Sequence, residues 1–376
     1  MVEVKKLERQ TGLLKGQRTK LPACRYKSPR DVSIWEIIKP NIGKDFSRFA
    51  VPVFMNEPLS FLQRLSENTQ YSDLLVKAAE ADDEISRMEL VTTFAVATVS
   101  SNYDRLSKPF NPLLLETFEL ERHGTRFLAE QVSHHPPVSA IYAEHEHYIV
   151  EGTVAPQMSF WMTRLTANPH ARIKVTFKAS GDEYWWEAPK CTIFNVIMGR
   201  IKNKIKSLYG NWTSYVASCD YEEFKKNRKE YVRLFHETEK DSALLIEGSE
   251  ILWVANQLPQ LYEKQFHFTN FSLSLNEMYQ GLADSLPSTD CRRRLDVKAL
   301  ETGDLETAER WKRDYEQWQR ERAANGVDQN ARWFTYDKNT QTWLYNGNYW
   351  EKDFGECPDI FEQSINNTES VKEEEE

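Results

Sequence analysis

His134 and His135 stand side by side in the run EQVSHHPPVSA (130–140), after Ser133 and before a Pro136-Pro137 step. The chain has only 8 histidines in 376 residues, so the doublet needs a reason. Imidazole changes charge near neutral pH and is a common metal ligand. Two adjacent rings could hold a metal, converge on an anion, or simply close a strand, since proline fixes φ and extends the residue before it. Taken alone, the run reads as a turn.

The anion reading gains from two other pieces. Lys108–Glu116 (KPFNPLLLE) is a proline-containing loop that presents Lys108 and Asn111. Farther on, Lys312, Glu316 and Arg320 recur at i, i+4 and i+8; at roughly 100° per residue they drift only about 80° and share one helix face. Considered alone, that triplet is an ordinary salt-bridge ladder. A phosphate ester, however, needs several convergent donors, some cationic, on a rigid frame. Lys108, the two imidazoles, Lys312 and Arg320 could supply them, with Glu316 orienting a cation or accepting from a hydroxyl. The rival chemistry is a metal-dependent hydrolase using His134 and His135. It lacks a third ligand at motif spacing, and neighbouring residues on a strand point opposite ways.

Composition narrows the partners. A net charge of −9 argues against a general nucleic-acid binder. Residues 1–30 nevertheless carry nine Lys/Arg against two Glu, so a basic arm heads an acidic protein. Such an arm suits an anionic membrane surface, or is merely a solvated, flexible segment. Five scattered cysteines without a CxxC pair fit a reducing compartment and no structural zinc. No secretory segment or long apolar run is evident, which points to a cytoplasmic protein that is peripheral on membranes.

These residues need elements to place them. The pattern predicts a short helix over Asp31–Gly43, then helices within 57–101, the first opened by Pro58 with Phe61, Leu62 and Leu65 on one face. Another starts near Asp83, with Ile85, Met88, Val91, Phe94 and Ala95 as its apolar stripe. From Thr117 the period becomes two. RFLAEQV, VSAIYAE, YIVEGTV, SFWMTRL, ARIKVTF, EYWWEA and CTIFNVI each read as a strand of an antiparallel meander. Further strands are expected near 207–216, 248–255 and 266–276. A long helix is expected over Asp304–Ala323, starting in an acidic turn.

EQVSHHPP (130–137) resembles the signature of the oxysterol-binding-protein-related family. NEPLSFLQRL (56–65), KPFNPLL (108–114), YGNWT (209–213), LPSTDCR (286–292) and the spacing Lys312, Glu316, Arg320 are similar to further pieces of it. With the closing CPDIF (357–361), the chain looks most like short members without a pleckstrin-homology domain. The resemblance covers most of residues 21–361. It implies an α+β fold: an incomplete antiparallel β-barrel enclosing a lipid tunnel, with flanking N-terminal and C-terminal helices. It divides the chain into an arm or lid (1–30), the lipid-binding domain (31–361) and an acidic disordered tail (362–376).

By the same resemblance the protein carries a sterol and a phosphoinositide between membranes, acts at membrane contact sites, uses no cofactor or metal, and is not an enzyme. Lys108, Asn111, His134, His135, Lys312, Glu316 and Arg320 would hold the headgroup. A rival of another class is a lipid-gated scaffold that transfers nothing. No motif supports an endoplasmic-reticulum tether protein as partner. Two departures stand out. Leu115 replaces a glycine usual in the family, and only Arg200–Leu208 bridge a region where the family has several more strands, so strands after residue 199 are expected to be absent.

Overall fold

The computed structural model describes residues 1–24, 52–161, 164–168, 170–187, 197–198, 205–235, 237–239, 241–326 and 330–362. The helix expected over Asp31–Gly43, nearly all of CTIFNVI and the tail after 362 lie outside them. The chain begins in strand β1 (Val2–Lys6), not in a solvated arm. Strand β2 (Asn56–Ser60) leads into helices α1 (Phe61–Ser66), α2 (Asp73–Glu80) and α3 (Glu84–Ala97). Pro58, expected to open the first helix, lies inside β2. The helix is opened instead by Ser60, whose N–H donates to Gln63 Oε1 at 2.8 Å in a capping box. Asp83 caps α3 by accepting from the N–H groups of Ile85 and Ser86. Val91, Phe94 and Ala97 form its buried face, whereas Met88 is 39% exposed and leaves the expected stripe.

Strand β3 (Lys108–Phe110) pairs parallel to β2. The period-two region then gives β4 (Thr117–Arg122), β5 (Thr125–His134), β6 (Pro137–Glu144), β7 (Tyr148–Val154), β8 (Gln157–Trp161), β9 (Arg164–Asn168), β10 (Ala171–Phe177) and β11 (Glu183–Glu187). Six of these form one antiparallel sheet in the order β11-β10-β7-β6-β5-β4. SFWMTRL is not one strand: β8 and β9 fold it into a hairpin of their own.

The next elements are β12 (Ile197–Met198), β13 (Lys206–Asn211), β14 (Tyr215–Asp220), helix α4 (Tyr221–Phe235), β15 (Ser242–Ile246) and β16 (Glu250–Val254). The strand expected over 207–216 is thus the hairpin β13–β14, within a second sheet of order β12-β13-β14-β16. Helix α4 escaped notice because it is mostly charged. Its apolar contact is the narrow stripe of Phe224 and Tyr231, and Asp220 accepts from the N–H of Glu222 and Glu223 at its start. Among the described residues the two large sheets are not joined through β11 and β12, so the barrel is incomplete on the side where the chain is short.

The strand expected over 266–276 does not form. Phe266 and His267 both have φ of 58°, and Thr269 caps the short helix α5 (Asn270–Leu273) through the Ser272 N–H. Helices α6 (Gln280–Ser285), α7 (Leu295–Glu301) and α8 (Leu305–Ala324) follow, then the hairpin β17 (Phe334–Asp337) and β18 (Thr342–Tyr345). The long helix appears as expected, with Asp304 as its N-cap.

Both faces of β5 and β6 are covered. Phe127, Ala129, Ile141 and Ala143 pack against Leu75, Phe94 and their neighbours on the helices. Leu128, Val132, Ala140 and Tyr142 lie under Trp333, Phe334 and Tyr349 of the C-terminal segment. Between the sheet and the helices, Leu75, Phe94, Phe127, Ile141 and Val150 meet around a void of about 20 Å³. Ligand pockets commonly measure ~300–1,000 Å³. At this point of the interface the described side chains pack closely.

The first 24 residues are fastened along their length. β1 pairs with β15 from Val2↔Ile246 to Lys6↔Ser242. Arg9 reaches Asp241 at 3.2 Å, Gln10 O accepts from Gln257 N, and Arg18 pairs with Glu301. Leu7 and Leu21 are buried to 7% and 3%. Burying one leucine stabilises by ~1.5–3 kcal/mol. Deleting residues 1–8 is therefore expected to lower unfolding stability in urea by at least about 2 kcal/mol. An unchanged urea midpoint would show that β1 contributes nothing to the fold.

Candidate functional site

The loop after β3 is held by one buried carboxylate. Glu116 accepts from the Leu113 N–H at 2.9 Å, from Ser60 Oγ, and from Arg294 Nη1 at 2.8 Å. Arg294 Nη1 also donates to the Asn111 carbonyl at 2.9 Å, and its other nitrogens pair with Asp296 at 3.0 and 2.7 Å. Burial raises the Glu116 carboxyl, against the opposing pull of Arg294, Ser60 and the Leu113 N–H. The loop then turns through Leu115, which adopts φ of 68° and donates its N–H to the Gln131 carbonyl. This left-handed conformation suits glycine; here a leucine takes it, half-buried beside Leu113, Tyr315 and Phe361.

The histidine doublet ends β5. Ser133 Oγ donates to the Pro136 carbonyl at 2.7 Å, Gln131 Nε2 donates to the Ser133 carbonyl at 2.8 Å, and Ser139 Oγ donates to Gln131 Oε1 at 2.6 Å. The β5–β6 register shifts between Gln131 and Ser133, and the His135-Pro136 peptide is cis. Strand alternation alone would point the two rings apart, but they lie 4.4 Å apart between centroids, at 61°. His135 is exposed. His134 is half-buried, and burial, followed by the neighbouring His135, lowers it to about 4. No third metal ligand joins this pair among the described residues. The trio of ligand atoms that does converge, His145, Glu146 and His147, sits at the other end of β6.

Helix α8 supplies the third piece. Lys312 is buried and pairs with Glu316 at 3.2 Å. Lys108 is lowered by burial first and by the Lys312 ammonium second, with Glu316 opposing. Lys108, Lys312 and Glu316 therefore share one electrostatic environment. Asn111 and Arg320 are both exposed, and Arg320 makes no hydrogen bond or ion pair among the described residues. Of the seven candidate residues, three are coupled directly, while His134 is tied to the same loop and helix through another side chain.

That side chain is Gln319, which the sequence pattern missed. Its Oε1 accepts from the Leu114 N–H at 2.8 Å and its Nε2 lies 2.6 Å from His134 Nε2. It thus ties the loop, the doublet and α8 together. A signal did exist: at ~100° per residue, position 319 returns to within about 20° of Lys312, nearer than Arg320. A search for charge passes over a neutral amide. Arg294 and Glu116 went unnoticed for another reason, because their meeting is set by the tertiary fold.

The same strand carries a second perturbed acid. Glu130 is fully buried and accepts from the N–H groups of Arg332 and Trp333 at 2.8 and 2.9 Å, while burial pushes it up to about 7. It anchors the C-terminal segment to β5, four residues before His134.

The family model described as oxysterol-binding protein matches this chain over residues 33–206 and 200–354. The match breaks at the short bridge between β12 and β13. Oxysterol-binding protein-related protein 2 of Mus musculus is 33% identical over 437 residues, covering 95% of this chain and 90% of that protein. Oxysterol-binding protein-related protein 3 of Homo sapiens is 38% identical over 372 residues, covering 90% of this chain and 41% of that one. Two solved structures are similar throughout. The Osh3 ORD from Saccharomyces cerevisiae in complex with PI(4)P has a TM-score of 0.74 at 29% identity, covering 95% of this chain and all of that one. The Osh1 ORD domain in complex with cholesterol has a TM-score of 0.75 at 26% identity, covering 92% and 94%.

Two predictions follow from the geometry. The left-handed conformation costs a non-glycine residue ~1–2 kcal/mol and is worse for a β-branched one. Leu115→Val is expected to lose more than about 1.5 kcal/mol in urea unfolding, and Leu115→Gly to stay within about 1 kcal/mol of wild type, relief of φ offsetting lost packing. Equal losses for both variants would show that packing alone matters there. His134 offers a pH test. Unfolded, it takes a proton near 6.5; folded, only near 4. Its contribution is complete above pH 6.5 and is lost as pH falls toward 4. Glu130 works in the opposite sense between 4.5 and 7, so the comparison is with His134→Gln. The urea midpoint of wild type is expected to fall more steeply than that of the variant from pH 6.5 to 4; parallel curves would refute the shielding of His134.

Proposed function

This chain belongs to the oxysterol-binding protein family, and from that premise we propose that it is a lipid carrier that holds a phosphoinositide by its phosphorylated headgroup and exchanges it for a sterol between membranes. Lys108, Asn111, His134, His135, Lys312, Glu316 and Arg320 form the headgroup site. One observation carries this reading: Lys108 and Lys312 are both drawn out of water into one environment in which Glu316 is the one carboxylate that couples to them among the described residues. Two desolvated ammonium groups against one carboxylate are electrostatically incomplete, and an anion completes them. The neighbours support both ligands, since an Osh3 ORD structure contains PI(4)P and Osh1 ORD structures contain cholesterol and ergosterol.

Residues 1–30 act as an arm on the membrane side and residues 31–361 as the lipid-binding unit. Within the arm, Arg9 and Arg18 are engaged in internal ion pairs, whereas Lys5, Lys6, Lys15 and Lys20 are exposed to an anionic surface. No helix among the described residues is long and apolar enough to cross a membrane. The protein works in the cytoplasm, docking peripherally.

The measurement is extraction of phosphatidylinositol 4-phosphate from phosphatidylcholine vesicles, with transfer to a second vesicle population separating a carrier from a scaffold. Charge-assisted bonds contribute ~1.5–3 kcal/mol each, so Lys108→Met and Lys312→Met are each expected to lose roughly tenfold or more in headgroup affinity. Uptake of a fluorescent sterol stays near wild type in both. Lys108→Met also removes one of two mutually repelling cations, so the ligand-free variant is expected to be at least as stable as wild type. Full extraction by the variants, or a Lys108→Met protein destabilised with binding intact, reduces the triplet to a salt-bridge ladder.

A further inference from the structure

We infer that Gln319 is a positioning residue that fixes which nitrogen of His134 carries the proton, so that His134 Nδ1–H is the donor offered to a phosphomonoester. The inference rests on the headgroup site proposed above and adds a residue to it. Its logic starts from a group with no freedom. The Leu114 backbone N–H can only donate, so the Gln319 atom 2.8 Å from it must be the carbonyl oxygen. The amide NH₂ then faces His134 Nε2 at 2.6 Å and donates to it. An Nε2 that accepts carries no proton, which leaves the single proton of the neutral ring on Nδ1.

Nδ1 is enclosed and has no hydrogen-bond partner among the described residues. An enclosed donor without a partner destabilises a fold by an amount comparable to a lost hydrogen bond, and such donors recur where a ligand completes them. The exposed ring of His135, beside it at 4.4 Å, is the group able to yield to an entering phosphate. Burial keeps His134 uncharged across the neutral range, so the donor needs no protonation step before it binds. Gln319 carries out this orientation from helix α8, on the face that carries Lys312. One residue therefore ties the loop and the imidazole to the helix that carries Lys312.

The test reads the tautomer directly. Ring-nitrogen NMR of the ligand-free, full-length protein, with His134 assigned by its loss in His134→Gln, is expected to show a bare Nε2 and a protonated Nδ1. Gln319→Glu keeps an acceptor for the Leu114 N–H, so it folds like wild type. Its second carboxylate oxygen accepts from Nε2–H and reverses the tautomer or charges the ring. Binding to vesicles containing phosphatidylinositol 4-phosphate is then expected to fall roughly tenfold, with sterol uptake unchanged. Gln319→Leu is expected to lose the same selectivity with some loss of stability. A protonated Nε2 in wild type, or full headgroup binding by Gln319→Glu, overturns the inference. Wild-type protein that ignores these vesicles defeats the proposed function instead, and the tautomer of the ligand-free chain still upholds or overturns the role of Gln319.

Discussion

The buried pair of Glu116 and Arg294 is the interaction on which the rest of the site depends. Both side chains are nearly inaccessible, and each satisfies backbone groups as well as the other's charge: Leu113 N–H for the acid, the Asn111 carbonyl for the base. Burying such a pair adds little net stability by itself, because desolvation offsets most of the attraction. What it supplies is a fixed place. The loop from Lys108 to Glu116 contains two prolines, a leucine at positive φ and little regular pairing beyond β3, and without this anchor it would have many conformations. With it, Leu114 N–H is aimed at α8 and Lys108 is drawn toward Lys312.

From that anchor the site reads as deliberate incompleteness. Several other buried charges are matched: Arg105 lies between Glu57 and Glu67, and Arg292 holds Asp290. Around Lys108 the matching stops. The Lys312 ammonium shares the surroundings of Lys108 and Glu316, while the His134 imidazole, held through Gln319, is lowered by burial and keeps an enclosed Nδ1 without a partner among the described residues. A protein that carries such a cluster gives up stability unless something else enters it. The surrounding matched networks are what make that cluster tolerable.

Much of this could be read from the residues. The meander from Thr117 and the long helix from Asp304 follow from period, whereas the three pieces of the proposed site are joined by the family resemblance. Failures share a cause: a local pattern outvoted by its surroundings. Alternating apolar residues over 266–276 look like a strand, but two residues at positive φ and the Thr269 cap bend them into a short helix. Pro58 looks like a helix opener until β3 arrives to pair with β2. The basic arm looks solvated because its partner strand, β15, lies some 240 residues later. Gln319 was legible by angle though not by charge, and Arg294 was not legible at all, since nothing near it in the sequence announces Glu116.

The open side of the barrel bears on what the molecule keeps. The break in the family match falls at residues 200–206, between β12 and β13, whereas the residues proposed for the headgroup come from β3 and the loop after it, the end of β5 with its turn, and α8. Their anchors, Arg294, Glu116 and Gln319, belong to that same half. The proposed headgroup site is therefore built without the region that is short. Enclosing an apolar lipid is a different task, because every 100 Å² of apolar surface left wet forfeits about 2.5 kcal/mol. A hydrogen-bonded clamp depends on a few fixed atoms, and a tunnel depends on an unbroken wall. Loss of strands from such a fold would thus separate the two halves of the proposed ligand problem, sparing the polar clamp while the apolar enclosure is left to what the packed core and the incomplete sheets can still cover.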